Sequence, residues 1–181
     1  VEAEVELRVN DHRSFMQLNE IKRARDKGDL DIALAACNEL LEKDAASIDA
    51  LRIRASVWFL KDRQTEALQD YQLVIESGLT NAGDFFLGAD VAIQLEKYDL
   101  ACEWLERVVE IGLKSGNHGF DSSAYFLTAY SKMQSGRYEE ALSYLEKAEA
   151  VNVNIALPIP GETGVASAQH LRAEINRRKQ D

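Results

Sequence analysis

Gly28-Asp-Leu-Asp-Ile-Ala33, Asp62-Arg-Gln-Thr-Glu-Ala67, Glu96-Lys-Tyr-Asp-Leu-Ala101 and Gly136-Arg-Tyr-Glu-Glu-Ala141 are four versions of one phrase. The first three closing alanines lie 34 residues apart and the fourth follows after 40, so the last unit comes after a six-residue insertion. A constant period of this length marks a solenoid, in which one supersecondary unit stacks on copies of itself. That reading decides the architecture and most of the function class.

Outward from the four phrases the pattern is helical. Phe15, Leu18, Ile21 and Ala24 recur at three-residue steps and predict a helix ended by Gly28. Helices are predicted over 30–43, over 48–61 behind Ser47 as N-cap, and over 64–76 up to Gly78. Two more follow over 82–95 and 98–111, the second stopped by Gly112. The glycine-rich stretch 114–121 is the longest turn, and Asp121 or Ser122 is expected to cap a helix over 122–134. An eighth helix is expected over 138–150. Pro158 and Pro160 push Leu157 and Ile159 toward extended geometry, which makes 151–161 extended. A last helix over 163–179 carries Ala168, Leu171 and Ile175 on one face and Arg177, Arg178 and Lys179 at its end, where cations suit the helix dipole. Residues 1–10 alternate apolar and charged, but a helical stack offers no strand to pair with, so an extended arm or the fraying start of a helix is expected.

The 181 residues are one domain's worth, and 46% hydrophobic with 29% charged residues fits a folded helical chain. A net charge of −10 argues against nucleic acid, whose phosphates call for a basic surface, and against an anionic membrane surface. Cys37 and Cys102 have no metal-ligand spacing and read as buried free thiols, which points to a reducing, cytoplasmic compartment. The chain opens on Val1, as a piece cut from a longer protein would.

Signals of catalysis are missing. His12, His118 and His170 stand apart, none with a second histidine three or four residues away, and read as surface residues. There is no Gly-x-Ser-x-Gly elbow, no Cys-x-x-Cys and no glycine loop with a Walker lysine. Gly161-Glu-Thr-Gly164 reads as a helix-start loop rather than an anion cradle. Glu39, Glu42, Glu66, Asp70, Glu76, Glu103, Glu106, Glu110, Glu139, Glu140 and Glu146 lie on the second helices and read as their solvated outer face. The expectation is a protein that is not an enzyme and needs no metal or cofactor.

The phrases and their spacing resemble the tetratricopeptide repeat, a 34-residue helix–turn–helix. Ala55, Ala89 and Ala129 stand where that family has a small residue in the first helix, and Ala33, Ala67, Ala101 and Ala141 where it has one early in the second. Cys37, Tyr71, Leu105 and Leu145 take the bulky place four residues later, and Leu51, Phe85 and Tyr125 the place often held by tryptophan. The usual closing proline is replaced by Ala45, Leu79, Leu113 and Val153. Asp62 and Glu96 replace the turn glycine of the two middle repeats, from which softer helix boundaries are expected.

The resemblance implies an all-α fold, a right-handed superhelical solenoid of antiparallel helix pairs. An N-terminal arm would span 1–13, four repeats 14–47, 48–81, 82–121 (with the insertion 116–121) and 122–153, and a linker with a capping helix 154–181. It also implies a concave face, lined by the first helices, on which a peptide or partner helix lies. By phase that face carries Lys22, Arg25, Arg52, Phe59, Phe86, Asp90, Phe126 and Tyr130; the alternative is that some of these aromatics are core or contact the extended 155–159 segment, which would leave no open groove. With its cations at the N-terminal end, it suits a partner segment with an acidic end and apolar anchors. The subset of the family that clamps a terminal carboxylate is not matched, because Leu18, Lys22, Ile53, Gly83 and Leu87 stand at its positions and only Lys22 is basic. The expected function is a non-enzymatic interaction scaffold or adaptor. The alternative is a homodimerising module that uses the arm or the 114–121 loop.

Overall fold

The computed structural model describes residues 16–160 and 163–180. The alternating segment 1–10, His12 and the first half of Gly161-Glu-Thr-Gly164 lie outside the described residues. The helices are α1 over 16–27, α2 Leu30–Lys43, α3 Ile48–Leu60, α4 Gln64–Glu76, α5 Ala82–Gln94, α6 Tyr98–Ser115, α7 Asp121–Gln134, α8 Tyr138–Val151 and α9 Ala168–Arg178. Two short strands, β1 Ala156–Leu157 and β2 Ala166–Ser167, pair antiparallel ahead of α9. The chain forms two compact units, one ending at Leu79 and one beginning at Thr80.

The alanines of the repeated phrase explain the pairing of helices. Ala33, Ala67, Ala101 and Ala141 are fully buried, as are Ala55, Ala89 and Ala129 on the first helices. With only a methyl group at each crossing, the two backbones of a pair approach closely and shut water out. Cys37, Tyr71, Leu105 and Leu145 are buried as well and fill the next layer. In the first unit α2 packs on α3 around Ile21, Cys37, Ile53 and Val57, and α3 packs on α4, whose Val74 joins Leu41, Ala50 and Leu51. In the second unit α5 through α8 pack each on the next, and α9 closes against α8.

The turns inside the four pairs share one geometry. Gly28, Asp62, Glu96 and Gly136 all adopt positive φ, at 86°, 60°, 57° and 73°. Each donates its N–H to the carbonyl three residues back, on Arg25, Phe59, Ile93 and Met133. The residue after each donates to the carbonyl five back, on Ala24, Trp58, Ala92 and Lys132. This is the paired bonding of a Schellman stop. The softer boundaries expected at Asp62 and Glu96 are therefore not found, because the stack imposes the left-handed turn even on residues that carry a Cβ.

Four further expectations are corrected. Helix α6 does not stop at Gly112. It runs to Ser115 and ends on Gly116 at φ +72°. Gly112 is buried, and a Cβ there would lie 2.8 Å from Asp121 Oδ1 and 3.0 Å from the Asn117 carbonyl, so it makes room for the following turn. Asp121 is not a cap. It is the first residue of α7, buried, and its Oδ2 lies 2.8 Å from His118 Nδ1. The last helix starts at Ala168 rather than at 163, because Ala166 and Ser167 are drawn into the pairing with β1, and the Ser167 hydroxyl caps the helix through the His170 N–H. Asp70 does not belong to the solvated outer face. It is buried in a two-pronged pair with Arg54, at 2.7 and 2.8 Å, while Arg54 also donates to Asn38 Oδ1.

Capping differs from expectation in detail. Ser47 sits at the N-cap of α3 without a side-chain bond, whereas Asn81 and Asp84 form a reciprocal capping box at the start of α5. The two thiols are free and buried, as expected.

Candidate functional site

A helix pair buries one stripe of each helix in the stack, and what remains of the first helices is free to meet another molecule. In the first unit those positions fall on α1 and α3. Lys22 is exposed on α1 and Phe59 half-buried on α3. Arg25 is already engaged, donating to Asp26 Oδ1 at 2.7 and 2.9 Å and to Ser56 Oγ at 3.1 Å. Arg52 pairs with Asp49 at 3.1 Å and donates to the Leu79 carbonyl at 2.7 Å. The two guanidinium groups of the anticipated basic patch thus spend much of their charge inside the unit.

In the second unit the positions fall on α5 and α7, and the two helices differ. Phe126 and Tyr130 on α7 are not lining residues. Phe126 is 0% exposed and Tyr130 3%, so neither ring is offered to a partner. The Tyr130 hydroxyl donates to the Pro160 carbonyl at 3.3 Å, and its ring meets Tyr98 edge-on at 6.4 Å. Ile155 and Ile159 are buried too. A cavity of about 230 Å³ beside them is walled by Tyr130, Met133 and Gln134 of α7, by Ile159 and Pro160, and by α9. The chain's own tail therefore covers Tyr130, while Phe126 is fully buried in the second unit. Ile159, the residue between the two prolines, is buried beside α7.

Helix α5 keeps its face. Phe86 is half-buried, with its ring 5.1 Å from that of Phe120. Leu87 is 49% exposed although it is a large hydrophobic residue in mid-helix. Asp90 lies one turn beyond both, half-buried. Loss of water around its carboxyl raises its pKa above the ordinary aspartate value.

A second opening lies on α6, α7 and α8, about 410 Å³, lined by Glu106, Tyr125, Tyr144 and Lys147 among others. The Lys147 ammonium sits 4.3 Å from the Tyr144 ring centre and 5.9 Å from that of Tyr125, and the Tyr144 hydroxyl donates to Glu106 at 3.0 Å. Burial, followed by this bond to Glu106, pushes the Tyr144 hydroxyl up to about 12. Among the described residues no group of three histidine, cysteine, aspartate or glutamate side chains could hold a metal ion. Nor is any helix there long and apolar enough to cross a membrane.

Comparison with known proteins agrees with the geometry. Two family models, each described as tetratricopeptide repeat, match residues 18–82 and 89–152. No curated protein matches the sequence. Among solved structures the chain is similar to YrrB, described as a TPR protein with an unusual peptide-binding site, at 22% identity and a TM-score of 0.73. That likeness covers 91% of this chain and 76% of YrrB. It is also similar to MamA from Desulfovibrio magneticus RS-1, at 18% identity and a TM-score of 0.72 over 92% of this chain and 85% of that one. Pseudomonas aeruginosa pilF follows at 18% and 0.68, over 94% and 70%. At these identities the likeness is one of fold, an α-solenoid of antiparallel helix pairs. With the family matched over both halves of the chain and the repeated turn formed four times, the chain belongs to the tetratricopeptide repeat family.

Proposed function

We propose that this protein is a non-enzymatic interaction scaffold, and that the α5 face receives an extended peptide or a helix from a partner protein. The observation that carries this reading is Leu87. A large apolar side chain left about half exposed beside half-buried Phe86, whose ring meets exposed Phe120, forms an apolar patch, and such patches mark interaction surfaces. The partner would contribute apolar anchors. An acidic end is no longer needed in this reading, since Arg25 and Arg52 already hold Asp26 and Asp49. The peptide-binding site named for YrrB supports the reading by analogy of fold.

The test is affinity capture from the native host with the wild-type chain, Leu87→Glu and Phe86→Ala, read by mass spectrometry. Both variants should lose the same partner while keeping a wild-type far-ultraviolet dichroism spectrum. Capture unchanged in both would overturn the reading. Leu113 in the last turn of α6 and Phe120 in the turn that follows, both exposed, favour a second reading, self-association. Sedimentation of the wild type and of Leu113→Glu separates the two: a dimer that the variant dissociates supports self-association.

A further inference from the structure

Among the described residues the fully buried carboxylates each have a partner on at least one oxygen. Asp70 has Arg54, Asp84 has the Asn81 N–H, and Asp121 has His118 on Oδ2, its Oδ1 being buried without one. Partly buried glutamates follow the same rule: Glu149 is held by Arg172, and Glu174 by Arg177 and Arg178. The reason is energetic, since a desolvated charge with nothing opposite it destabilises the folded state.

Asp90 breaks the pattern. It is half-buried on α5, and no hydrogen bond or ion pair reaches it among the described residues. It lies four residues after Phe86 and three after Leu87, so all three share one side of the helix. Phe120 extends that side through its contact with Phe86. The result is an anionic group with apolar neighbours and no internal cation.

We propose that Asp90 is the anchor for a lysine or arginine of the bound segment, with an apolar residue beside that cation packed on Phe86 and Leu87. This rests on the α5 face being the binding surface, and it adds the chemistry of what binds there. An ammonium or guanidinium brought to Asp90 meets a carboxylate that has already shed much of its water, so most of the cost of pairing falls on the partner alone. The same carboxylate repels acidic segments, and so supplies selectivity against them.

The experiment is selection of a random peptide library on the full chain, followed by calorimetry of an enriched peptide on wild type, Asp90→Asn, Asp90→Lys and Phe86→Ala. Enriched peptides should carry lysine or arginine next to an aromatic or branched residue. Asp90→Asn should weaken binding about tenfold or more. Asp90→Lys should bind the peptide's lysine-to-glutamate variant better than wild type does. Thermal melts of each variant confirm folding. If the enriched peptides show no excess of cations, or Asp90→Asn binds within about twofold of wild type, the assignment falls. A loss confined to Phe86→Ala would then leave the α5 surface standing. No enriched peptide at all, or wild-type binding by both Phe86→Ala and Asp90→Asn, would overturn both.

Discussion

Replacing Glu96 with glycine should stabilise the second unit, although it deletes a side chain and adds a flexible residue. Glu96 holds φ +57° at the turn between α5 and α6, the place that glycine occupies as Gly28 and Gly136 in two other pairs. A residue with a Cβ in the left-handed region costs about 1–2 kcal/mol. Glycine removes that strain but widens the unfolded ensemble, which takes back about 0.5–1 kcal/mol. The Glu96 carboxyl is exposed and makes no hydrogen bond among the described residues, so nothing else is lost. The net expectation is a gain of about 0.5–1 kcal/mol, or about 1–4 °C in melting temperature for a chain of this size. Asp62→Gly should gain less, because Asp62 Oδ1 accepts from Gln64 at 2.7 Å. Gly136→Ala imposes the same strain in reverse and should lose about 1 kcal/mol. Urea and thermal denaturation of the three variants measure the series. A Glu96→Gly chain less stable than wild type would refute the argument that the stack forces this turn.

Gly112→Ala should lose about 1–2 kcal/mol despite the better helix propensity of alanine, because one of the two atoms its Cβ would crowd is a backbone carbonyl that cannot swing away; chemical denaturation reads this. Asp70→Ala strands Arg54 beside a buried gap and should lose about 3 kcal/mol, the low end for a broken buried pair since Arg54 is partly exposed. Asp90→Asn should be more stable than wild type at neutral pH and equal to it in acid. The folded pKa of Asp90 is raised, so wild-type stability is fully present below the unfolded aspartate value and falls as pH rises through the folded one; melts across that window test the sign. Cys37, buried and pushed up to about 11 by desolvation, should react with a thiol reagent only after denaturant is added.

The helix pairs were legible because their information is local and repeated. An alanine at the crossing, a bulky residue four places on and a stop between helices recur in each unit, and each recurrence corrects the noise of the others. The turn at Glu96 shows where that logic underestimates the fold: the residue type argues against a left-handed turn, and the packing around Ala89 and Ala101 overrides it. Gly112 shows the opposite error. Its glycine was read as a backbone signal, but the space it leaves is claimed by Asp121 and Asn117 from the following turn, which no local pattern reveals. Asp70 was misplaced for a similar reason, since its partner Arg54 lies on another helix and a charge on a second helix ordinarily faces water. Phase alone assigned Phe126 and Tyr130 to the binding face. It leaves cover by the 155–159 segment as an alternative, and the bond from Tyr130 to the Pro160 carbonyl decides that alternative at Tyr130.

That cover changes what the remaining face means. The tail covers Tyr130 with an apolar residue, Ile159, and a backbone carbonyl, that of Pro160, which is what a tyrosine side chain needs. Nothing of that kind is supplied to α5, where local structure is otherwise consistent at every level: a capping box at its start, a buried alanine at the crossing and a Schellman stop at its end. Against that agreement, Leu87 and Asp90 are the two residues whose chemistry the fold leaves unanswered, one lacking apolar cover and the other a counter-charge. Where every other choice in an element serves folding, the choices that do not are best explained by binding. One ligand answers both, a segment whose basic residue is flanked by an apolar one. A ligand lacking either part would satisfy only half of what this helix exposes.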